Sequence, residues 1–113
     1  MSRDEVYLRH ILDAIQSIEQ YVAEGRDAFM GDPMRQDAVM RRLEIIGEAT
    51  KQLSQETTAK RLEIPWRRVA GLRDRLIHGY ASVDLDTVWE VTVRDLPSLR
   101  DAVEALAIES DPP

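Results

Sequence analysis

The chain of 113 residues carries a net charge of -6, has no cysteine and has two histidines. This is the size of one compact domain, and the composition argues against a disulfide framework, a cysteine-ligated zinc site or a histidine-rich metal site, so we expect neither a metal nor a cofactor. No apolar run approaches the roughly 20 residues that span a bilayer, and the first residues lack the apolar core of a signal peptide, which predicts a cytoplasmic protein with no membrane partner.

The negative charge is unevenly distributed. Residues 1–80 contain 13 basic and 13 acidic side chains, whereas residues 81–113 contain 2 basic and 8 acidic ones. Between Trp66 and Arg75, four arginines accompany a single aspartate. Because polyanions bind to basic surface, this local excess favours a small phosphate-contacting site over a broad nucleic-acid-binding face.

The first predicted helix starts with a capping box, Ser2 followed by Glu5. Apolar residues then recur at spacings of three and four: Leu8, Ile11, Leu12, Ile15, Ile18 and Val22. We expect Gly25 to end this helix, and the polar link 26–31 to be anchored by Phe29.

The second predicted helix begins at Asp32-Pro33, a cap residue followed by proline at the first helical position. Its apolar stripe extends to about Leu53. Gly47 lies inside it and costs about 1 kcal/mol against alanine, so it either permits the close approach of another helix or is a tolerated weak point. The polar segment 54–60 is either a short helix or a turn.

A third helix is predicted from Pro65 to near His78, and a fourth from Asp84 onwards, kinked but continuous across Pro97. No strand-like alternation appears. The sequence therefore predicts an all-α fold, with a single helical domain over residues 1–108 and a frayed tail over residues 109–113.

Residues 73–80 read Arg-Asp-Arg-Leu-Ile-His-Gly-Tyr and concentrate more reactive chemistry than any other stretch. Guanidinium groups suit phosphate and imidazole moves protons near neutral pH, so the cluster is a candidate site for cleaving phosphate esters. On a regular helix Asp74 and Arg75 would neighbour His78, with Asp74 orienting the imidazole. Arg73 would lie about 140° away around the helix, so one chain alone leaves the site incomplete.

Plainer interpretations compete with this one. A histidine and arginines at a helix C-terminus also serve as ordinary dipole partners. His10, the pair Arg41-Arg42 and the pair Arg67-Arg68 are expected on the surface. Trp66 and Trp89 fall on apolar stripes and are expected in the core, while Glu44 and Glu48 are expected to be exposed helix acids.

The pattern Arg73, four residues, His78, any residue, Tyr80 resembles the signature of the HepT-like ribonuclease toxins of the HEPN superfamily. Four other runs in the chain are also similar to that family: Arg42-Leu43-Glu44-Ile45-Ile46-Gly47-Glu48-Ala49, Ile64-Pro65-Trp66-Arg67, Val83-Asp84 and Asp95-Leu96-Pro97. The resemblance implies an antiparallel four- to five-helix bundle that forms a homodimer, with the two motifs meeting in one cleft.

The same resemblance implies the toxin of a type VII-like toxin–antitoxin module, a metal-independent endoribonuclease that cuts RNA through 2′-hydroxyl attack. Arg73 and His78 would be the catalytic pair, with Asp74 and Arg75 in support. A nucleotidyltransferase antitoxin would neutralise it by adding AMP to Tyr80. The family commonly has asparagine where this chain has Asp74, and a carboxylate there repels substrate phosphate. The alternative is therefore a non-catalytic helical module that binds a nucleotide or the transferase.

Overall fold

A computed structural model describes residues 2–78 and 82–110, although not the side chains of His78, Ser82 and Ser110. The helices, in chain order, are α1 (Arg3–Tyr21), α2 (Arg26–Met30), α3 (Pro33–Lys51), α4 (Gln55–Thr58), α5 (Trp66–Ala70), α6 (Leu72–Leu76), α7 (Leu85–Glu90) and α8 (Leu96–Ser110). A 3-10 turn (Ala59–Arg61), a π-helical segment (Val91–Asp95) and two strands of two residues each, β1 (Ile77–His78) and β2 (Ser82–Val83), complete the described elements. The predicted all-α fold is confirmed.

Helix α1 begins at the predicted cap, where the Ser2 hydroxyl accepts a hydrogen bond of 3.2 Å from the backbone N–H of Glu5. It ends at Tyr21, earlier than predicted. Gly25 adopts a φ of 100°, a conformation that favours glycine, and it precedes α2. The prediction of a polar link after Gly25 is wrong, because this segment is helical, but Phe29 is fully buried within it as the predicted anchor.

Helix α3 also has its predicted cap. The Asp32 carboxylate accepts hydrogen bonds from the backbone N–H groups of Met34 and Arg35 at 3.0 and 3.2 Å, and Pro33 occupies the first turn. The helix ends at Lys51, close to the expected position. The segment beyond it, which the sequence left open between helix and turn, forms α4 and the 3-10 turn.

Helix α1 packs against both α3 and α8. Near the start of α1, Arg3 donates a hydrogen bond of 2.8 Å to Gln52, which follows the end of α3. Near the other end, Arg100 of α8 lies 2.7 Å from the Glu19 carboxylate. Since each contact joins opposite ends of two helices, α1 runs antiparallel to both neighbours, and the predicted bundle architecture is confirmed.

The core between these helices consists of fully buried aliphatic and aromatic side chains. The largest are Phe29, Leu8, Ile11, Ile15, Ile18, Leu43, Ile46, Leu76 and Leu106. Burial of such side chains is the main favourable contribution to folding. Within the described residues, no helix is both long enough and apolar enough to cross a membrane.

The prediction that one helix extends from Pro65 to near His78 is wrong. This region forms the two short helices α5 and α6, which meet at Gly71, and α6 ends at Leu76. Ile77 is extended with a ψ of 115°, and β1 then pairs antiparallel with β2, with His78 opposite Ser82. The ladder supplies partners to backbone groups that a longer helix would have bonded internally, which is why the helix can stop early.

The last helical element is continuous across Pro97, as predicted, and runs from α7 through the π-helical segment into α8. Asp84 caps its start by accepting a hydrogen bond of 3.1 Å from the Thr87 N–H. The irregularity expected from Pro97 takes the form of wider helical turns just before it, where a missing proline N–H would break the ordinary register. Helix α8 extends to Ser110; residues 111–113 lie outside the described residues, and the frayed tail stays a prediction.

Candidate functional site

The motif begins on α6, which buried side chains and the neighbouring helix α5 hold in place. Leu72 and Leu76 are buried and fix α6 to the core, and α5 beside it lies directly on α3. A Cβ added at Gly47 of α3 would lie 3.2 Å from the carbonyl oxygen of Ala70. Of the two interpretations of Gly47, the close approach of another helix is therefore correct. This contact sets the distance between α3 and α5, and with it the position of the motif on the adjoining α6.

Arg73 and Asp74 are both exposed on α6. Within the part of the chain that the structure describes, neither side chain makes a hydrogen bond or an ion pair. The Arg73 guanidinium is therefore available to an anion approaching from solvent, and the Asp74 carboxylate presents its negative charge on the neighbouring surface.

Arg75 lies two residues after Arg73, which places it about 200° around the helix and thus on the opposite side. Its Nη1 lies 3.6 Å from Oδ2 of Asp95, in the π-helical segment. This pair connects the motif helix to the last helical element. Arg75 consequently belongs to a different surface from Arg73, although the sequence places them together.

His78 stands on β1, beyond the end of α6. The helical spacing that would have put Asp74 and Arg75 beside His78 does not apply, because Ile77 has already left the helix. The His78 side chain and Tyr80 lie outside the described residues. The backbone course brings β1 directly out of the helix that carries Arg73, so the two parts of the motif share one end of that helix.

Trp66 and Trp89 have the structural roles expected from their apolar stripes. Trp66 is half-buried, and its Nε1 donates hydrogen bonds to the carbonyl oxygens of Thr58 and Arg61 at 3.1 and 2.9 Å. Trp89 packs against Phe29 with 5.7 Å between ring centroids. Both rings hold helices together.

The charged residues weighed beside the motif also take ordinary positions. His10 is exposed and meets the edge of Tyr7, with 5.8 Å between ring centroids. Glu48 pairs with Lys51 at 3.1 Å, within one turn of the same helix. Glu44 lies in the same helix and pairs with Arg41 at 3.8 Å. Among the described residues, no group of three or more His, Cys, Asp or Glu side chains is arranged to hold a metal ion.

Sequence reasoning assigned Arg94 no role and singled out Asp95 only within a run that resembles the family, whereas the fold brings both residues up to the motif helix. Both belong to the π-helical segment, and with Arg75 they line one cavity. The signal that pointed to this place was Pro97, which predicted a distortion of the helix but not which side chains the distortion would present.

Comparison with known proteins agrees with the motif. The family model described as Ribonuclease HepT-like matches residues 11–106. A Methanocaldococcus jannaschii protein described as a gamma-glutamylcyclotransferase and putative RNase is 44% identical over 108 residues, which cover 95% of this chain and 49% of that protein. The chain thus spans about half the length of that relative.

Two other relatives match along most of their length. A "Probable ribonuclease HepT" of Thermococcus cleftensis is 43% identical over 88% of this chain and 92% of its own. A "Putative RNase" of Caldanaerobacter subterraneus is 37% identical over 94% and 96% of the two chains. No solved structure matches the chain. The family match covers most of the sequence and includes the whole Arg73 to Tyr80 motif, so this chain belongs to the Ribonuclease HepT-like family.

Proposed function

We propose that the chain is a metal-independent endoribonuclease and the toxin of a toxin–antitoxin pair. The observation that carries the proposal is Arg73, exposed and without an ionic partner among the described residues, on a helix fixed to the core and leading directly to His78. In a ribonuclease family, a guanidinium that can hold a phosphate and a histidine that can move protons, five residues apart in the chain, support phosphodiester cleavage.

In the proposed reaction the ribose 2′-hydroxyl attacks the adjacent phosphorus. A new bond forms between the 2′-oxygen and phosphorus, the bond from phosphorus to the 5′-oxygen breaks, and the products are a 2′,3′-cyclic phosphate and a 5′-hydroxyl. His78 accepts the proton of the 2′-hydroxyl or donates one to the departing 5′-oxygen. Arg73 stabilises the negative charge that develops on the phosphoryl oxygens.

A homodimer completes this site in the proposal. One motif presents Arg73 and Arg75 on opposite sides of α6, so within one chain only one of these two guanidiniums can face a given phosphate. Two copies meeting at this end of the bundle would supply two histidines, one to accept and one to donate a proton. Arg75, held by Asp95 on the other side of α6, then supports the site indirectly by keeping that helix in place.

Control of the enzyme would act through Tyr80. A nucleotidyltransferase antitoxin that adds AMP to this hydroxyl would put a bulky anion beside the cleft, where it competes with RNA phosphate for Arg73. The partners in the proposal are therefore RNA, the antitoxin and a second copy of the chain, and the setting is the cytoplasm.

A second candidate function is a non-catalytic helical module that binds a nucleotide or the transferase. The exposed carboxylate of Asp74 favours it, because a negative charge beside Arg73 weakens the attraction for RNA phosphate. In this case the purified protein would bind its partner but leave RNA uncut.

The two functions are separated by assaying labelled RNA with the purified full chain in EDTA. We expect cleavage by the wild type and a loss of roughly 100- to 10,000-fold in Arg73→Ala and His78→Ala. Arg67→Ala is the matched control, because Arg67 is an exposed arginine on the neighbouring helix and lies outside the motif. Circular dichroism verifies that each variant is folded. Equal cleavage by the wild type and both motif variants would refute the proposal, and binding without cleavage would favour the second candidate.

A further inference from the structure

A cavity of about 220 Å³ lies between α5, α6 and the last helical element, beside the motif helix. Its floor consists of buried aliphatic side chains: Ile64, Val69, Leu72, Val91, Leu96 and Leu99. Pockets for drug-sized molecules start at about 300 Å³, so this one suits a single flat ring system.

Three arginines from three different elements surround this apolar floor: Arg68 of α5, Arg75 of α6 and Arg94 of the π-helical segment. Two carboxylates also line the cavity, and each has a cation of its own. Asp95 pairs with Arg75, and Glu63 lies 3.7 Å from Arg61. With three arginines against two carboxylates, the lining carries a net charge of +1 above an apolar floor.

Two of the three guanidiniums can turn to a ligand at little cost. Arg68 is exposed and, within the described ranges, has no ionic partner. Arg94 is 78% exposed, and its only ion pair in the same ranges is with Glu90, one turn earlier, at 2.8 Å. Ion pairs this open to solvent are weak, so a phosphate can replace Glu90. π-helical segments occur often at functional sites, and here one provides both Arg94 and part of the floor.

We propose that this cavity binds one nucleotide of single-stranded RNA, with the base on the aliphatic floor and the flanking phosphates on Arg68 and Arg94. The inference rests on the proposed ribonuclease function and extends it to how substrate is held. Because Arg75 faces away from Arg73, the bound nucleotide is not the one that is cleaved. It is an anchor further along the strand, and the strand passes around the end of α6 to reach His78.

The test measures binding of a fluorescent single-stranded DNA oligonucleotide, which keeps the bases and phosphates but cannot be cut because it lacks the 2′-hydroxyl. We expect Arg68→Ala/Arg94→Ala to weaken binding about tenfold and to lower the salt dependence, since each lost phosphate contact removes about 0.7 from the slope of log affinity against log salt. Ser98 lines the cavity and is exposed, so Ser98→Trp fills the space without disturbing the core. It should weaken binding with the slope unchanged.

Arg67→Ala is the control, because it removes one exposed arginine of α5 that does not line the cavity. It should bind like the wild type. AMP and inorganic phosphate are tested as competitors. Displacement of the oligonucleotide by AMP at far lower concentration than by phosphate supports a site that reads base and phosphate together, whereas tight binding of AMP alone with no oligonucleotide binding would overturn the RNA assignment.

Wild-type affinity in both cavity variants would overturn the inference while leaving the ribonuclease proposal intact. Oligonucleotide binding that depends on the cavity, in a protein that does not cleave RNA, would refute the ribonuclease proposal and leave the binding site standing. Size-exclusion chromatography covers the third outcome: if Ser98→Trp changes only the oligomeric state, the cavity is an interface between copies and not a nucleotide site.

Discussion

The Cα of Gly47 lies so close to Ala70 that an added Cβ would stand 3.2 Å from its carbonyl oxygen and 3.4 Å from that of Val69. The neighbouring atoms are backbone and cannot rotate aside as a side chain would. The contact joins the buried face of α3 to α5, the helix immediately before the motif, so the position of Arg73 depends on a glycine in another helix.

This contact predicts that Gly47→Ala destabilises the protein in spite of alanine's better helix propensity. The propensity gain of about 1 kcal/mol is offset by an overpacking cost of roughly 1 to 3 kcal/mol. Gly47→Val should lose more still. Urea denaturation measures the free energy of unfolding. Gly71→Ala is the control, because its Cβ would meet the Arg67 carbonyl oxygen at an ordinary 3.5 Å. A Gly47→Ala protein more stable than the wild type would show that α5 can move away.

Asp4 predicts an acid-sensitive contribution to stability. Burial, the largest single influence, raises the pKa of Asp4, but hydrogen bonds from the Ser54 and Thr57 hydroxyls and from the Ser54 N–H, with the charge of Arg3, together outweigh it and lower the pKa. A lowered folded-state pKa stabilises the fold above the unfolded value of about 3.9, and this stability disappears as the pH falls through the folded-state pKa.

We therefore expect Asp4→Asn to lower the free energy of unfolding by about 1 to 2 kcal/mol near pH 7. The difference from the wild type should shrink as the pH falls below about 4. Asp13→Asn, on the exposed side of the same helix, is the matched control for removing a carboxylate from α1 and should be as stable as the wild type near pH 7. A constant gap between Asp4→Asn and the wild type across the acid range would contradict the argument.

Asp74 predicts a gain of activity on substitution. The exposed carboxylate lies next to Arg73 in the chain and repels the phosphate that Arg73 is proposed to bind. Asp74→Asn should raise kcat/KM for RNA by roughly 3- to 10-fold, because interactions of surface charges are of the order of 1 kcal/mol. The gain should be larger at low salt than at high salt. Steady-state kinetics provide the measurement, and slower cleavage by Asp74→Asn would instead assign the carboxylate a direct part in the reaction.

We expect the Tyr80→Phe variant to be a ribonuclease that the antitoxin cannot inhibit. When the wild type is produced together with the nucleotidyltransferase, the mass of the protein should increase by that of one or more AMP groups. The added mass should lie on the peptide that contains Tyr80, and RNA cleavage should stop. Tyr80→Phe should gain no mass and should go on cutting RNA. The inactive His78→Ala protein should still be modified, which separates loss of modification from loss of activity. Full neutralisation of Tyr80→Phe would favour a mechanism other than AMP addition.

Local signals correctly predicted where α1, α3 and α7 begin. Ser2, Asp32 and Asp84 each cap the helix that the sequence assigned to them, because a cap depends on a side chain and backbone groups within three residues. Pro97 predicted an irregular but continuous helix for a similarly local reason. Gly47 was identified as exceptional, but its neighbour was not, since that contact is with a residue distant in sequence.

The motif shows where local information ended. Helical periodicity predicted a helix that continues to near His78, whereas the pairing of β1 with β2 ends α6 at Leu76. Where the helix ends depends on hydrogen bonds between two segments, and the spacing of residues within one segment does not predict such bonds. The contact between Arg75 and Asp95 is of the same kind, and it assigns to a separate surface a residue that the sequence had grouped with Arg73.

The sequence by itself determined the all-α fold, the helix caps and the reactive motif, because periodicity, capping and the chemistry of side chains are properties of short stretches of chain. Only the tertiary structure decided where the motif helix stops, which of its arginines joins Asp95, and that an arginine-lined cavity lies beside it. These features arise from packing between distant segments, whose energies depend on atoms that come together only when the chain is folded.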